Sequence, residues 1–293
     1  MALLNNLYEK HYKKLIILSY SILLISIIII GIHYAITGEF FQRDISLKGG
    51  VSATIYNENI NINDVKELLS DSFKDYSVRE LTDFNTNKNI GLIIEVADIP
   101  EKDLRNVLKT KYDIDFENKE EYDPGLATSS FSETFYRGLL IALLFSFILM
   151  SIVVFFSFRT FIPGLAVISA ALTDILAALA VIDILGIKLS AAGIVSFLLI
   201  IGYSIDTDIL LTTRMLKRHD APLIERIKSS MKTGLTMTFA AIAALVTGYF
   251  VALPEELKQM FLIISIALVF DIITTYAGNV GILIYYCKKK NIT

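Results

Sequence analysis

Two carboxylates and a guanidinium close an apolar run in GYSIDTDILLTTR, residues 202–214: Asp206, Asp208 and Arg214. Two more acids lie inside apolar stretches, Asp174 in SAALTDILAALA and Asp271 in IALVFDIITTY. A charged side chain at the centre of a bilayer costs about 2.5–3.5 kcal/mol on insertion scales. Acids that persist there carry protons along a path, hold helices together as protonated or paired groups, or share a proton in acid–base chemistry. Asp206 and Asp208 are two residues apart, roughly 200° around a helix, so they cannot face one groove. One is expected to point into the bundle; the other pairs with a neighbour or reaches water. At about 1.5 Å per residue, Asp271 falls near mid-depth with Asp174 close to it. Asp206 falls in the inner half, and Asp208 and Arg214 approach the inner interface. Asp174, Asp206, Asp208 and Arg214 are read as proton-coupling candidates, Asp174 and Asp206 as the protonatable groups and Asp208 with Arg214 as an inner-side charge pair, and Asp271 is read as structural.

Other chemistry is thinly represented. Cys287 is the sole cysteine, and His11, His33 and His219 are far apart, so no metal-ligand spacing exists. No phosphate loop, dinucleotide fingerprint or nucleic-acid module is present, and no cofactor or metal is expected. An intramembrane aspartyl protease would need a Gly-x-Gly-Asp and a Pro-Ala-Leu segment, and neither is found. Serine chemistry lacks a histidine at suitable depth, because His33 sits near the outer end of the first apolar segment. The chain is not expected to be an enzyme.

These residues must be placed by membrane-spanning helices. The 293 residues are 54% hydrophobic, above the usual 45–50% of soluble domains. Six segments reach the roughly 20 apolar residues that a span needs: 15–36, 138–158, 161–182, 189–211, 234–253 and 260–286. The first is read as a retained anchor, since its apolar run is too long for a signal-peptide core. Lys10, Lys13, Lys14, Arg159, Arg214, Lys217, Arg218, Arg226, Lys228, Lys232 and Lys288 to Lys290 fall on one side, and the short loops opposite hold only Lys188 and Lys258. The excess of Lys and Arg marks the cytoplasmic side, so both termini are expected there. Small residues recur every fourth position in Thr236, Ala240, Ala244 and Gly248, and in Ala166, Ala170 and Asp174, which suits close helix packing. Leu223 to Met231 can form an amphipathic helix on the inner surface.

The chain therefore divides into residues 1–36, a cytoplasmic N-terminus and first span; 37–137, an extracytoplasmic α/β domain; and 138–293, spans two to six with a cytoplasmic C-terminus. The middle part carries twelve Lys/Arg and twenty Asp/Glu. It reads as a strand or strand pair around Gly49-Gly50, a helix capped by Asn63, strands in SVRELTD and NIGLIIEVADI, and a helix in PEKDLRNVLKTKY. DIDFENKEEYDPGLATSS supplies a last strand or a linker. The β-α-β-β-α order suggests a ferredoxin-like sandwich. The fold class is thus a mainly α membrane protein with six spans and an α/β domain between the first two.

This arrangement, with IGYSIDTDILLTTRML (201–216) and DISLKGGVS (44–52), resembles the SecD/SecF family within the resistance-nodulation-division superfamily, and specifically its SecF branch in an archaeal form. The resemblance covers essentially the whole chain. In the bacterial pattern GYSxNDTxxxxDR, Asp206 falls at the Asn, Thr207 at the Asp tied to proton flow, and Asp208 at the Thr. The carboxylate is displaced by one residue either way, while Arg214 matches directly. Gly49, Gly50 and Gly202 are structural candidates. The resemblance implies an accessory subunit of the Sec translocase in the cell membrane. It would act beside a SecD-like subunit and a SecYE-type channel on a translocating polypeptide, driven by the proton gradient. Membrane lipids, and no nucleic acid, complete the implied partners. A half-transporter for small molecules of the same superfamily and a non-energised assembly scaffold are the alternatives.

Overall fold

The computed structural model describes residues 8–290, apart from 58–59, 83–87, 98, 113, 119–120, 128 and 219–220. The chain forms two compact units, Arg43–Gly138 and Met1–Gln42 with Leu139–Thr293.

The first unit is built on an antiparallel sheet of four strands: β1 (Gly50–Ile55), β2 (Tyr76–Thr82), β3 (Asn89–Ala97) and β4 (Tyr122–Ala127), in spatial order β2-β3-β1-β4. Period-two alternation aims one face of each strand inward: Val51, Ala53 and Ile55 on β1 pack with Leu92, Ile94 and Val96 on β3. The segment called a strand or linker above is therefore a strand. Of the strand or strand pair expected around Gly49-Gly50, one strand is present, beginning at Gly50, and a short helix, Ile45–Lys48, precedes it and ends at Gly49 with φ 81°. A side chain is disfavoured at Gly49 by its left-handed backbone. At Gly50 an added Cβ would overlap the Val96 carbonyl oxygen. Helix Ile62–Ser72 is capped by Asn61, whose side chain accepts from the Asn63 N–H, so the cap lies two residues before the expected one. Helix Glu101–Lys109 starts after Pro100 and buries Leu104 and Leu108.

The second unit is helical. In chain order its helices are α1 (Tyr12–Thr37), α2 (Ser129–Phe158, which belongs to this unit from Leu139 on), α3 (Phe161–Ile184), α4 (Ala191–Lys217), α5 (Leu223–Val251) and α6 (Glu255–Ile273). A π-helical turn, Thr274–Asn279, continues α6 into α7, Val280–Lys290. Among the described residues six helices are long and apolar enough to cross a membrane, the sixth running Glu255–Lys290. Burial is uneven. In α3 and α4 half or more of the apolar window is enclosed, whereas in α2 and α5 only 11% is.

The expected surface helix at Leu223–Met231 is not separate. It forms the first turns of α5, which runs unbroken to Val251. The reason is packing: Ile227 is fully buried with Leu211, Met215 and Leu283, and nothing between Met231 and Leu235 breaks the helix. Beside it the buried Arg226 guanidinium donates to the carbonyls of Met215, at 2.9 Å, and Arg218, closing the C-terminal end of α4. Cationic donors suit the unpaired carbonyls at a helix end.

Candidate functional site, a buried carboxylate cluster

One face of α4 builds the site. Ile200, Ser204, Thr207, Asp208 and Leu211 follow helical spacing and are all buried. Opposite them stand Asp174 from α3, Asp271 from α6, and Thr274, Thr275 and Asn279 from the π turn. The small residues Ala166 and Ala170, two turns and one turn before Asp174, are buried as well, so the spacing expected along α3 does pack.

The hydrogen bonds link these groups into one cluster. Ser204 Oγ donates to Asp174 Oδ2 at 2.7 Å, and Thr274 Oγ1 donates to Asp174 Oδ1 at 2.6 Å. Thr207 Oγ1 lies 3.1 Å from Asp271 Oδ2. Asn279 Nδ2 donates to Asp208 Oδ1 at 2.7 Å. Thr275 Oγ1 stands between two acids, 2.9 Å from Asp208 Oδ1 and 3.2 Å from Asp271 Oδ1. Asp174 and Asp208 are 0% exposed and Asp271 is 1% exposed.

Every donor in this set is a neutral hydroxyl or amide. No Lys, Arg or His pairs with any of the three acids among the described residues. Isolated ionised carboxylates cannot be kept in a dry interior without counter-charge. The cluster can therefore hold protons, and hydroxyls with rotatable hydrogens are suited to pass them. Among the described residues no group of three or more His, Cys, Asp or Glu is arranged to hold a metal ion.

The π turn makes the geometry possible. In a plain α-helix Gly278, seven residues after Asp271, would share its face, and Asn279 would lie about 80° away. The wider turn brings Asn279 onto Asp208 instead. Gly278 then faces α1, where an added Cβ would lie 2.6 Å from Ser19 Cβ. The Tyr8 hydroxyl donates to the Tyr276 carbonyl at 3.0 Å within this turn. Turns of this kind occur frequently at functional sites.

The expected residues divide between two places. Asp174 and Asp208 enter the cluster. Asp271, read from sequence as structural, is a full member of it. The pairing expected between Asp208 and Arg214 is not present. Six residues, about 240°, separate them on α4, and Arg214 Nη1 donates to Ser229 Oγ at 2.8 Å. Asp206 is exposed on the opposite face of α4 and lines an open recess of about 410 Å³ with Leu210, Arg214, Arg218, Thr233 and Met237. Gly202 lies on that exposed face too, with nothing within 4 Å of an added Cβ, so no packing inside this chain requires a glycine there. Thr236, Ala240 and Ala244 on α5 are likewise exposed; only Gly248, against Phe261, packs within the chain. Ser204, Thr207, Thr274, Thr275 and Asn279 were not singled out from sequence. The polar run TTYAGN directly after Asp271 was the available signal.

The sequence matches the family described as protein export membrane protein SecD/SecF, C-terminal, over residues 107–289, more than half of the chain. The chain belongs to the SecD/SecF family. Its similarity is to the SecF side. It is 34% identical over 286 residues to the protein-export membrane protein SecF of Methanocaldococcus jannaschii, covering 96% of this chain and 97% of that one. It is 31% identical over 287 residues to SecF of Methanolacinia petrolearia, covering 97% and 96%. With SecF of Methanothermobacter thermautotrophicus identity reaches 45% over 152 residues, half of this chain and 53% of that one. The crystal structure of SecDF, a translocon-associated membrane protein from Thermus thermophilus, superposes with a TM-score of 0.69 at 18% identity. The fit covers 96% of this chain and 38% of the SecDF chain, and it shows a shared fold. Six apolar helices and membership of SecD/SecF make this a multi-pass membrane protein.

Proposed function

We propose that this chain is an accessory subunit of the Sec protein translocase, acts without enzymatic chemistry of its own, and couples export to the proton gradient. The observation that carries the reading is the cluster of Asp174, Asp208 and Asp271, three buried acids whose hydrogen bonds come from neutral donors only, with Asp208 Oδ2 left without a partner among the described residues. Such a cluster changes charge by taking or losing protons, and a charge change in a packed interior is a force on the helices around it.

The proposed partner is a SecD-like subunit lying on the open face of α4 and α5. Gly202, Asp206, Thr236, Ala240 and Ala244 are exposed there, and small residues permit close helix approach. Asp206 would meet the partner, whereas Asp174 acts inside this chain. The partner pair would serve a SecYE-type channel and its translocating polypeptide. Both termini would be cytoplasmic in the cell membrane, with residues 37–137 outside as a ferredoxin-like domain. The strand order β2-β3-β1-β4 and the two helices between strands support that last reading.

The test is gradient-driven translocation into inverted vesicles that contain the channel and partner. Asp174→Asn and Asp206→Asn are each expected to reduce translocation while protein level holds. Unchanged translocation in both would overturn proton coupling through this chain. Capture of the tagged chain from native membranes is expected to bring a six-helix relative and channel subunits.

A further inference from the structure

A second titratable pair lies at the other end of the bundle. His33 on α1 and Asp183 on α3 approach with Nδ1 and Oδ1 4.0 Å apart, and their side chains are only 12% and 3% exposed. Both carboxylate oxygens of Asp183 and Nε2 of His33 are buried without a hydrogen-bond partner among the described residues. The separation is beyond a hydrogen bond, and closing it by about 1 Å would make a charge-assisted one. Asp183 is nine residues beyond Asp174 on the same helix, about 13 Å along it and about 180° around it. The two acids thus look out from opposite sides of α3, one toward the cluster and one toward α1.

We propose that His33 and Asp183 form a second proton-binding site, at the end of the bundle from which the chain runs into the α/β unit. The inference rests on the membrane orientation proposed above, which puts this end outside. A proton taken from outer water onto the imidazole places a cation beside the Asp183 carboxylate and draws α1 against α3. Release of that proton removes the attraction and leaves the Asp183 carboxylate without counter-charge, so the two side chains part toward outer water. The segment after α1 is held at the same end, where the Leu189 N–H donates to the Gln42 carbonyl at 2.7 Å, one residue before the α/β unit begins. The other charged groups of the helical unit at this end are Glu39 after α1, Lys188 in the loop after α3, and Glu255, Glu256 and Lys258 on α6. Lys258 is bound to Glu255 at 2.7 Å, and among the described residues none of the five pairs with His33 or Asp183. On α1 the neighbouring Tyr34 is stacked on Phe40. Among the described residues no fixed charge is paired with either side chain.

The experiment uses the full chain with its partner in lipid nanodiscs. Spin labels at Ile36→Cys and Leu185→Cys, both exposed positions, report the α1–α3 distance. The distance is expected to shorten as pH falls from about 8 to about 5.5. His33→Gln and Asp183→Asn are each expected to abolish that response, and His33→Arg to hold the short distance throughout. A distance that ignores pH in the unsubstituted pair, or a response that survives in both His33→Gln and Asp183→Asn, would overturn the proposal. No translocation is needed for this readout, so its failure is separable from failure of Asp174→Asn and Asp206→Asn to reduce export.

Discussion

Thr275→Val removes one hydroxyl from between two buried acids and leaves the volume of the side chain almost unchanged. The Thr275 hydroxyl lies 2.9 Å from Asp208 Oδ1 and 3.2 Å from Asp271 Oδ1. It has a single hydrogen and so serves one of them at a time. Each acid keeps another donor, Asn279 for Asp208 and Thr207 for Asp271. The loss is therefore bounded at one hydrogen bond to an acid, about 1.5–3 kcal/mol where the acceptor is charged. For a unit of 150–250 residues that corresponds to a fall of about 3–12 °C in melting temperature. Thermal unfolding of the purified full chain in detergent measures it. Thr275→Ser, which keeps the hydroxyl, is expected to melt within a few degrees of the unsubstituted chain. A Thr275→Val protein that melts normally would refute the bridging role. So would a Thr275→Ser protein that falls as far as Thr275→Val.

Three further outcomes follow from other parts of the molecule. Arg226→Met keeps the bulk but removes the donor that closes α4, and the same melting assay is expected to show a loss of about 2–3 kcal/mol. Gly50→Ala drives a methyl into the backbone of β3, at 2.8 Å from Ala97 Cα, and is expected to destabilise the α/β unit by about 1–3 kcal/mol, read as faster proteolysis within residues 43–138. In the same unit, burial and then the Glu101 carboxylate push the Tyr122 phenol up to about 12, above the ordinary 10.0. Its contribution to stability is complete below the unfolded value and is lost as pH rises from about 10 to about 12. Melts at about pH 9 and about pH 11 are expected to show a smaller alkaline loss for Tyr122→Phe than for the unsubstituted chain, and equal losses would refute the assignment.

The spans were legible because length and apolarity alone define them. So was the division of Asp206 and Asp208 between two faces of α4, which follows from 100° per residue. Which of the two turns inward was also written in the sequence: Ser204, Thr207, Asp208 and Leu211 share one face with Ile200, and Asp206 shares another with Gly202 and Tyr203. The site's other half was hidden by a change of period. Reading the sixth span at 3.6 residues per turn puts Gly278 beside Asp271, and only the π turn exchanges it for Asn279. The Asn63 cap missed by two positions because the preceding Asn61 offers the same chemistry and lies where the chain is still extended. The surface helix was misjudged because Leu223 and Ile227 present the same spacing whether they cover a membrane surface or, as here, the base of α5.

The exposure of Asp206 bears on how much of this protein a cell can keep. A chain inserted alone would present that carboxylate, with the bare stripe of α5, to whatever surrounds the bundle. In lipid a carboxylate toward the centre of a span carries a penalty of about 2.5–3.5 kcal/mol. If the partner proposed above covers this face, supply in excess of it should be short-lived, and one exposed side chain would then set the ratio of two gene products through turnover.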